Sequence, residues 1–402
     1  MNRKALFPAY MNEFSCIGSA CEDTCCAGWN VTIDQETYKK YKKLPNSTIK
    51  KELDSSVKRV RSNQNFSNYG KMKLNSEGAC NLLDNNALCK IHSQLGEDYL
   101  CNTCSVYPRI LNQVDDIVEK SLTLSCPEAA RLALLKPGGI DFIEEEESDQ
   151  IKGFIMKKIS SNEEYPYFWK LRMYTIQILQ EQSHKIEVRL MTLGLFYRKL
   201  QSISEAEWEL KLEEIMTHYY KQLLSGEMAS SFDKLEHNIA FQMNLAKELI
   251  NYRFSNNITS KRYIECLQEV FGALKLEEGD MDVSIECYIQ AFKEYYEPFI
   301  SKHEYILENY TVNYVFKNFF PYDQTNLFES FVMLIVNVMM IKLHLIGMAG
   351  AHDGLSKDLV VKLVQSYSKT IDHNSNYLTN VRTALKDSGY TTMAHMLVLL
   401  KV

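Results

Sequence analysis

Residues 190–200 read Leu190-Met191-Thr192-Leu193-Gly194-Leu195-Phe196-Tyr197-Arg198-Lys199-Leu200, and Leu190, Leu193, Phe196 and Leu200 recur at intervals of three and four. That repeat lines one face of an α-helix. Leu210, Leu212, Ile215 and Tyr219 continue it, and similar stripes run from about residue 150 to the end of the chain, with Pro166, Pro298 and Pro321 the only prolines of that region. Because an internal proline costs a helix about 3 kcal/mol, their scarcity leaves room for many unbroken helices. Patterns of period two are nearly absent there, so residues 150–402 are expected to form an all-α body.

The first third differs. Residues 1–135 hold four of the eight prolines, five of the sixteen glycines and nine of the eleven cysteines, with only short periodic pieces such as Asp34 to Lys43. A segment so poor in apolar pattern needs a metal or cross-links to hold it. The fold expected is mainly α: an irregular Cys-rich metal-binding module (1–135) on a large helical body (150–402). Pro137-Gly138-Gly139 and the acidic run Glu144 to Glu147 read as a punctuated connection between them.

Composition narrows the function classes. Of 402 residues 46% are hydrophobic, and 45 Lys and Arg against 51 Asp and Glu give a net charge of −6, which argues against nucleic-acid binding as the main role. The N-terminal ten residues lack the apolar segment of a secretory signal, so the expected compartment is the cytoplasm. The most apolar stretch, Ser330 to Ile341, is bounded by Glu329 and Lys342 and falls short of the ~20 residues a bilayer requires. It reads as a buried helix, with no membrane span. Eleven basic residues between Tyr38 and Lys73 stand against Glu52 and Asp54 alone. They suit a solvated face or a docking patch for an acidic partner.

The cysteines carry the chemistry. Cys16-x4-Cys21-x3-Cys25-Cys26, Cys80-x8-Cys89, Cys101-x2-Cys104 and Cys126-Pro127 fall in one half-domain, while Cys266 and Cys287 stand apart and are expected to be buried apolar side chains. Disulfides would suit a secreted chain, but nothing directs this one outward and nine is odd. Zinc favours two Cys-x2-Cys knuckles and only one is present. An iron–sulfur cluster takes four thiolates at mixed spacing, one of them often from Cys-Pro. The spacing is not the Cys-x3-Cys-x2-Cys of radical enzymes that cleave S-adenosylmethionine. Adjacent side chains of Cys25 and Cys26 leave the backbone in different directions, so one of them is spare or serves a second site. His92 is the histidine nearest the candidate ligands.

The string Phe14-Ser15-Cys16-Ile17-Gly18-Ser19-Ala20-Cys21-Glu22-Asp23-Thr24-Cys25-Cys26-Ala27-Gly28-Trp29, with Val31 to Asp34, resembles the opening of the flagellin lysine-N-methylases (FliB). The segments Cys80 to His92, Leu95 to Glu97, Leu100 to Arg109 and Leu124 to Glu128 resemble it too, as does Glu308-Asn309-Tyr310-Thr311-Val312-Asn313-Tyr314-Val315-Phe316 through Pro321 in the helical part. The Cys-rich portion is similar to a wider group of iron- or zinc-chelating modules. The resemblance implies methyl transfer from S-adenosylmethionine to flagellin lysines, with a [4Fe-4S] cluster on some of these cysteines. A non-enzymatic, zinc-stabilised adaptor that docks a partner is the alternative.

Which thiols ligate stays open: Cys101, Cys104 and Cys126 fit best by spacing, with a fourth from Cys21, Cys25 or Cys26. No glycine-rich turn after a strand offers a donor site, and Gly138-Gly139 and Gly347-x2-Gly350 read as turns. Arg109 is a candidate donor contact, or a second-layer hydrogen bond to cluster sulfur. Lysine must react as the neutral amine, against a reference pKa of about 10.4. Aromatic walls would desolvate it; Tyr310 and Tyr314 are candidates, with Phe316, Phe319, Phe320 and Tyr322 beside them, although their spacing is equally that of a packed helix and core is the better reading.

Overall fold

The computed structural model describes residues 2–402 apart from 28–30, 63, 77, 87, 149–154, 162–163, 256–257, 259, 278 and 372–373. Gly28, Trp29 and the expected boundary at residue 150 lie outside the described residues.

The hub of the helical body is Leu327–Ala351, capped by the Asn326 side chain, which accepts from the Glu329 N–H. Its apolar residues point all round rather than to one face, so it must be enclosed. Helices Ile186–Gln201, Lys261–Ala273, Met281–Ala291, Lys357–Ile371 and Met393–Leu400 pack around it. Its length and hydropathy would suffice to cross a bilayer, yet its apolar window is wholly buried in the fold, as expected for the core of 330–341. Gly347 and Gly350 were expected in a turn; they lie within this helix instead. A Cβ on Gly347 would stand 2.8 Å from Val270 Cγ1, and one on Gly350 3.0 Å from Ala291 Cβ. Both glycines let neighbouring helices approach closely.

His344, on the same helix, is fully buried. Its Nδ1 lies 2.5 Å from the Met340 carbonyl and its Nε2 3.2 Å from the Tyr263 hydroxyl. Nδ1 therefore carries the proton and Nε2 accepts. Burial pushes the imidazole down to about 4. Unfolded histidine takes a proton near pH 6.5, so the stability from keeping His344 neutral is complete above that pH and is lost as pH falls through 4. The loss is on the order of 3 kcal/mol. Urea unfolding at pH 7 and pH 4.5 should show a steeper drop for the wild type than for His344→Gln; equal drops would refute the assignment.

The N-terminal region is more ordered than expected. Strands β1 (Asn2–Pro8), β5 (Arg109–Val114), β6 (Ile117–Leu122), β7 (Phe142–Ser148) and β8 (Lys157–Ile159) form one sheet in the order β7-β1-β6-β5-β8, and β2 (Thr32–Ile33), β3 (Val57–Arg59) and β4 (Gly70–Met72) a second in the order β2-β4-β3. The acidic run read as a connection is the edge strand β7, antiparallel to β1 along its length. Lys4 reaches Glu144 and Lys120 reaches Glu147, so neighbouring cations offset the like charges of the run.

The larger sheet belongs to the helical body's core. Tyr10, Leu122, Leu124 and Ala129 share one apolar cluster with the helices. Helix Tyr305–Asn318 fastens the two parts by polar contacts: Asn309 Nδ2 donates to the Leu134 and Lys136 carbonyls, and the Tyr10 hydroxyl donates to Asn313 Oδ1 at 2.5 Å. Glu308 meets Arg189 at 2.7 Å, both side chains almost inaccessible. Gly139 sits at φ +92°, where a Cβ would strike Glu308 Oε1 at 2.8 Å. Glycine is thus required in that turn twice over.

Residues 31–104 build a separate small core from Val31, Ile33, Tyr41, Leu53, Leu82, Ile91, Cys80 and Cys101. Thiols make up part of its interior, which answers the shortage of apolar residues.

Candidate thiol centre and its seat on the helical body

Each cysteine is placed by short local structure. Cys80 N–H donates to the Cys26 carbonyl at 2.7 Å, and Leu83 pairs with Cys89 in an isolated bridge. Thr103 Oγ1 donates to the Thr32 carbonyl at 2.9 Å and Asn102 N–H to Asp34 Oδ2 at 3.0 Å, which draws the Cys101–Cys104 turn against β2. Cys80 and Cys101 are buried and Cys26, Cys89 and Cys104 pack against the same core. All nine N-terminal cysteines are free thiols, none paired as cystine.

The thiols share protons. Cys26 holds its proton and hydrogen-bonds Cys25 and Cys89, an arrangement that pushes Cys26 far up and brings Cys89 down to about 6. Cys25 Sγ is 3.8 Å from Cys26 Sγ. Cys104 likewise holds a proton toward Cys101, raising Cys104 and lowering Cys101. Burial pushes Cys80 and Cys126 to about 11 and raises Cys21. A nest of thiols in which Cys25, Cys89 and Cys101 are the favoured thiolates is a soft donor set, of the type that holds zinc or iron–sulfur nuclei. Among the described residues no three His, Cys, Asp or Glu side chains converge at single-ion spacing.

Cys126 caps helix Pro127–Leu134 and packs against the main core. Beside it, Asp23 receives Lys369 Nζ at 2.9 and 2.8 Å and Gln365 Nε2 at 2.8 Å, while Lys369 also donates to the Thr24 carbonyl at 2.8 Å. Gln365 Nε2 reaches the Ser125 carbonyl too, at 2.9 Å. Helix Lys357–Ile371 thus grips the cysteine loop from the far end of the chain. Reading the sequence did not single out Lys369 or Gln365. The available signal was a run of polar residues, Gln365, Ser366, Ser368, Lys369 and Thr370, on a helix whose spacing buries them.

Arg109 opens β5, its guanidinium carbon 5.1 Å from the Phe14 ring centroid, which sets it beside the chain leading into Cys16. His92 is exposed, one turn into the short helix that Cys89 caps. Tyr310 is buried in the main core, its ring 6.5 Å from the half-buried Tyr314. The other aromatics disperse: Phe316 lies under the Arg172 guanidinium at 4.4 Å, Phe319 and Tyr322 pack on Phe168, and Phe320 on Tyr197. Most of the basic run is exposed, and Lys58 stands directly opposite Lys71 across β3 and β4. Cys266 is fully buried near Ser366, while Cys287 is half-buried.

Among the cavities that the described residues form, two open in the helical body. One, of about 390 Å³, is lined by Met191, His218, Tyr219, Met228 and Leu397; the other, of about 420 Å³, by Leu249, Tyr252, Val381, Leu385 and Tyr390. No thiol faces either.

A family model for the FliB lysine N-methylase C-terminal domain matches residues 172–399, more than half of the chain and including the helix that grips the cysteine loop. The chain belongs to the FliB lysine N-methylase family. It is 26% identical over 390 residues to a lysine-N-methylase of Salmonella typhimurium strain LT2 and equally so to one of Salmonella choleraesuis, covering 93% of either chain in both comparisons. A flagellar biosynthetic protein FliU of Salmonella muenchen is 39% identical over 131 residues, 32% of this chain and 76% of that one. No solved structure matches.

Proposed function

We propose that this chain is a protein-lysine N-methyltransferase that moves methyl groups from S-adenosylmethionine to lysine side chains of flagellin, in the cytoplasm. The observation that carries the reading is an alignment to lysine-N-methylases that runs through the thiol module and the helical body alike. The FliU-named relative supports a flagellar partner.

Cys16, Cys21, Cys25, Cys26, Cys80, Cys89, Cys101, Cys104 and Cys126 supply the thiols for a [4Fe-4S] cluster, with zinc as the alternative metal. When bound, such a cluster supplies a strong local charge and a redox-active centre. The protein's part is to hold the donor and the lysine amine in line and to strip water from the amine, which lowers its pKa and frees the lone pair for attack on the sulfonium methyl. Arg109 is assigned to the amino-acid end of the donor, and the half-buried Tyr314 to the wall along which the amine loses its water.

The test is incubation of anaerobically purified, iron-loaded protein with methyl-labelled donor and flagellin, followed by mass spectrometry of the lysines. Label on lysine Nε is the expected result. A loaded sample that leaves flagellin unlabelled overturns the reading, and a colourless zinc protein that binds flagellin without labelling it would make the chain an adaptor.

A further inference from the structure

The basic run between Tyr38 and Lys73 has no part in the chemistry described so far. It sets eleven cations against two carboxylates in a chain whose net charge is −6, so the rest of the molecule is strongly acidic. Both carboxylates turn to other lysines: Asp54 takes Lys42 and Lys50, and Glu52 takes Lys90. Lys58 and Lys71 stay exposed and, among the described residues, make no ion pair.

Strand register places that charge. Thr32 stands opposite Lys71, and Lys71 opposite Lys58, so one row crosses β2, β4 and β3. Alternation sends Ile33, Met72 and Val57 to the other face, where all three are buried. The outer face of the small sheet is therefore cationic. Like charges directly opposite each other destabilise a strand pair, so folding alone gives no reason for lysine at both positions. At its β2 end the row reaches the thiols, since Thr32 Oγ1 lies 3.0 Å from Oγ1 of Thr103, inside the Cys101–Cys104 turn. The connection from β3 to β4 adds an exposed Arg61 and a Phe66 that is 53% exposed. Its course is fixed where the Phe66 carbonyl accepts the Gln35 N–H at 2.8 Å.

We propose that the outer face of the β2-β4-β3 sheet, with Lys58 and Lys71 at its centre and Phe66 at its edge, docks an acidic segment of the protein substrate and brings it beside the thiol centre. Carboxylates of the segment meet the lysine row, and an apolar side chain covers Phe66. The acidic remainder of the molecule repels such a segment, which limits it to this face and orients it. Single-stranded nucleic acid fits less well, because it needs free aromatic faces on which bases stack. Tyr38 and Tyr69 pack on each other at 5.2 Å and are covered by Lys42 and Arg59. Flagellin as the docked protein rests on the methylase reading above; the acidic chemistry of the docked segment does not.

The test measures binding of the full-length protein to flagellin by biolayer interferometry, without donor, and in parallel methyl transfer at varied flagellin concentration. K58E/K71E is compared with K199E/K234E, which changes net charge equally at exposed positions of the helical body, and circular dichroism confirms each fold. The sheet variant is expected to bind flagellin about tenfold more weakly and to raise KM by a like factor at unchanged kcat, with most of the salt dependence of binding lost. F66A should weaken binding by about tenfold and keep the salt dependence. The helical-body control should stay within about twofold of wild type. Undiminished binding by the sheet variant, or equal weakening in the control, overturns the docking face. Tighter binding of a single-stranded oligonucleotide than of flagellin, lost in the sheet variant, would assign the face to nucleic acid and overturn it too. A wild type that docks flagellin through this face but leaves it unlabelled sinks the methylase reading while the docking face stands. Labelling by the sheet variant with the wild-type KM sinks the docking face alone.

Discussion

Glu308→Ala is expected to lower the free energy of unfolding by about 3 kcal/mol, the lower end of the range for stripping one partner from a buried ion pair. Arg189 and Glu308 are 2% and 1% exposed and 2.7 Å apart. The alanine leaves the guanidinium enclosed with the Leu179 carbonyl and with Glu304, 3.2 Å away and 31% exposed. That residual carboxylate is why the upper end of the range is not reached. Gln182 loses its acceptor as well. Glu304→Ala should cost less than about 1 kcal/mol, because a partly hydrated carboxylate contributes little. Chemical denaturation of both variants decides the matter, and equal costs would show that the pair does not act as a buried one.

The second large effect concerns the clamp on the cysteine loop. Lys369→Met removes the ammonium that faces both oxygens of Asp23, with the two side chains only 8% and 17% exposed. Asp23 keeps the Gln365 amide and the Thr24 N–H, neither of them charged. The expected cost is about 3 kcal/mol, confined to the loop, since Lys369 lies at the end of a helix that stays anchored through buried Val360, Val361, Leu363, Val364 and Tyr367. Hydrogen exchange of amides 21–26 should speed up by roughly a hundredfold, at about 1.4 kcal/mol per factor of ten. Amides of the Leu327–Ala351 hub should be unchanged. Pairing Lys369→Met with Asp23→Asn should recover part of the loss, because no carboxylate is then left without its counter-ion. Exchange that rises equally in hub and loop would mean that the clamp supports the whole fold rather than the cysteine loop.

Both effects arise from contacts between residues far apart in the sequence, and that is where reading the sequence stopped short. The helical body was legible because period is a local property: Leu190, Leu193, Phe196 and Leu200 share a face whatever surrounds them, and all four are buried. The apolar run at 330–341 was legible for the same reason, although its helix extends to residues 327–351. Gly347 and Gly350 were misread because a glycine that ends a helix and one that admits a neighbouring helix look alike until the neighbour is known. The acidic run at 144–147 was misread as a connection because four like charges argue against a strand, and Lys4 and Lys120 that relieve them come from distant positions.

By itself the sequence determined that a helical body carries a thiol-rich module, since residue type and spacing suffice to show both. Only the tertiary structure decided which core Cys80, Cys101 and Cys126 pack against, which helix holds the cysteine loop, and that Asn309 and Asn313 tie the helical body to residues 134–136 and to Tyr10. Those are facts of proximity between residues as far apart as Asp23 and Lys369, and proximity across the chain is set by packing, which no local pattern encodes.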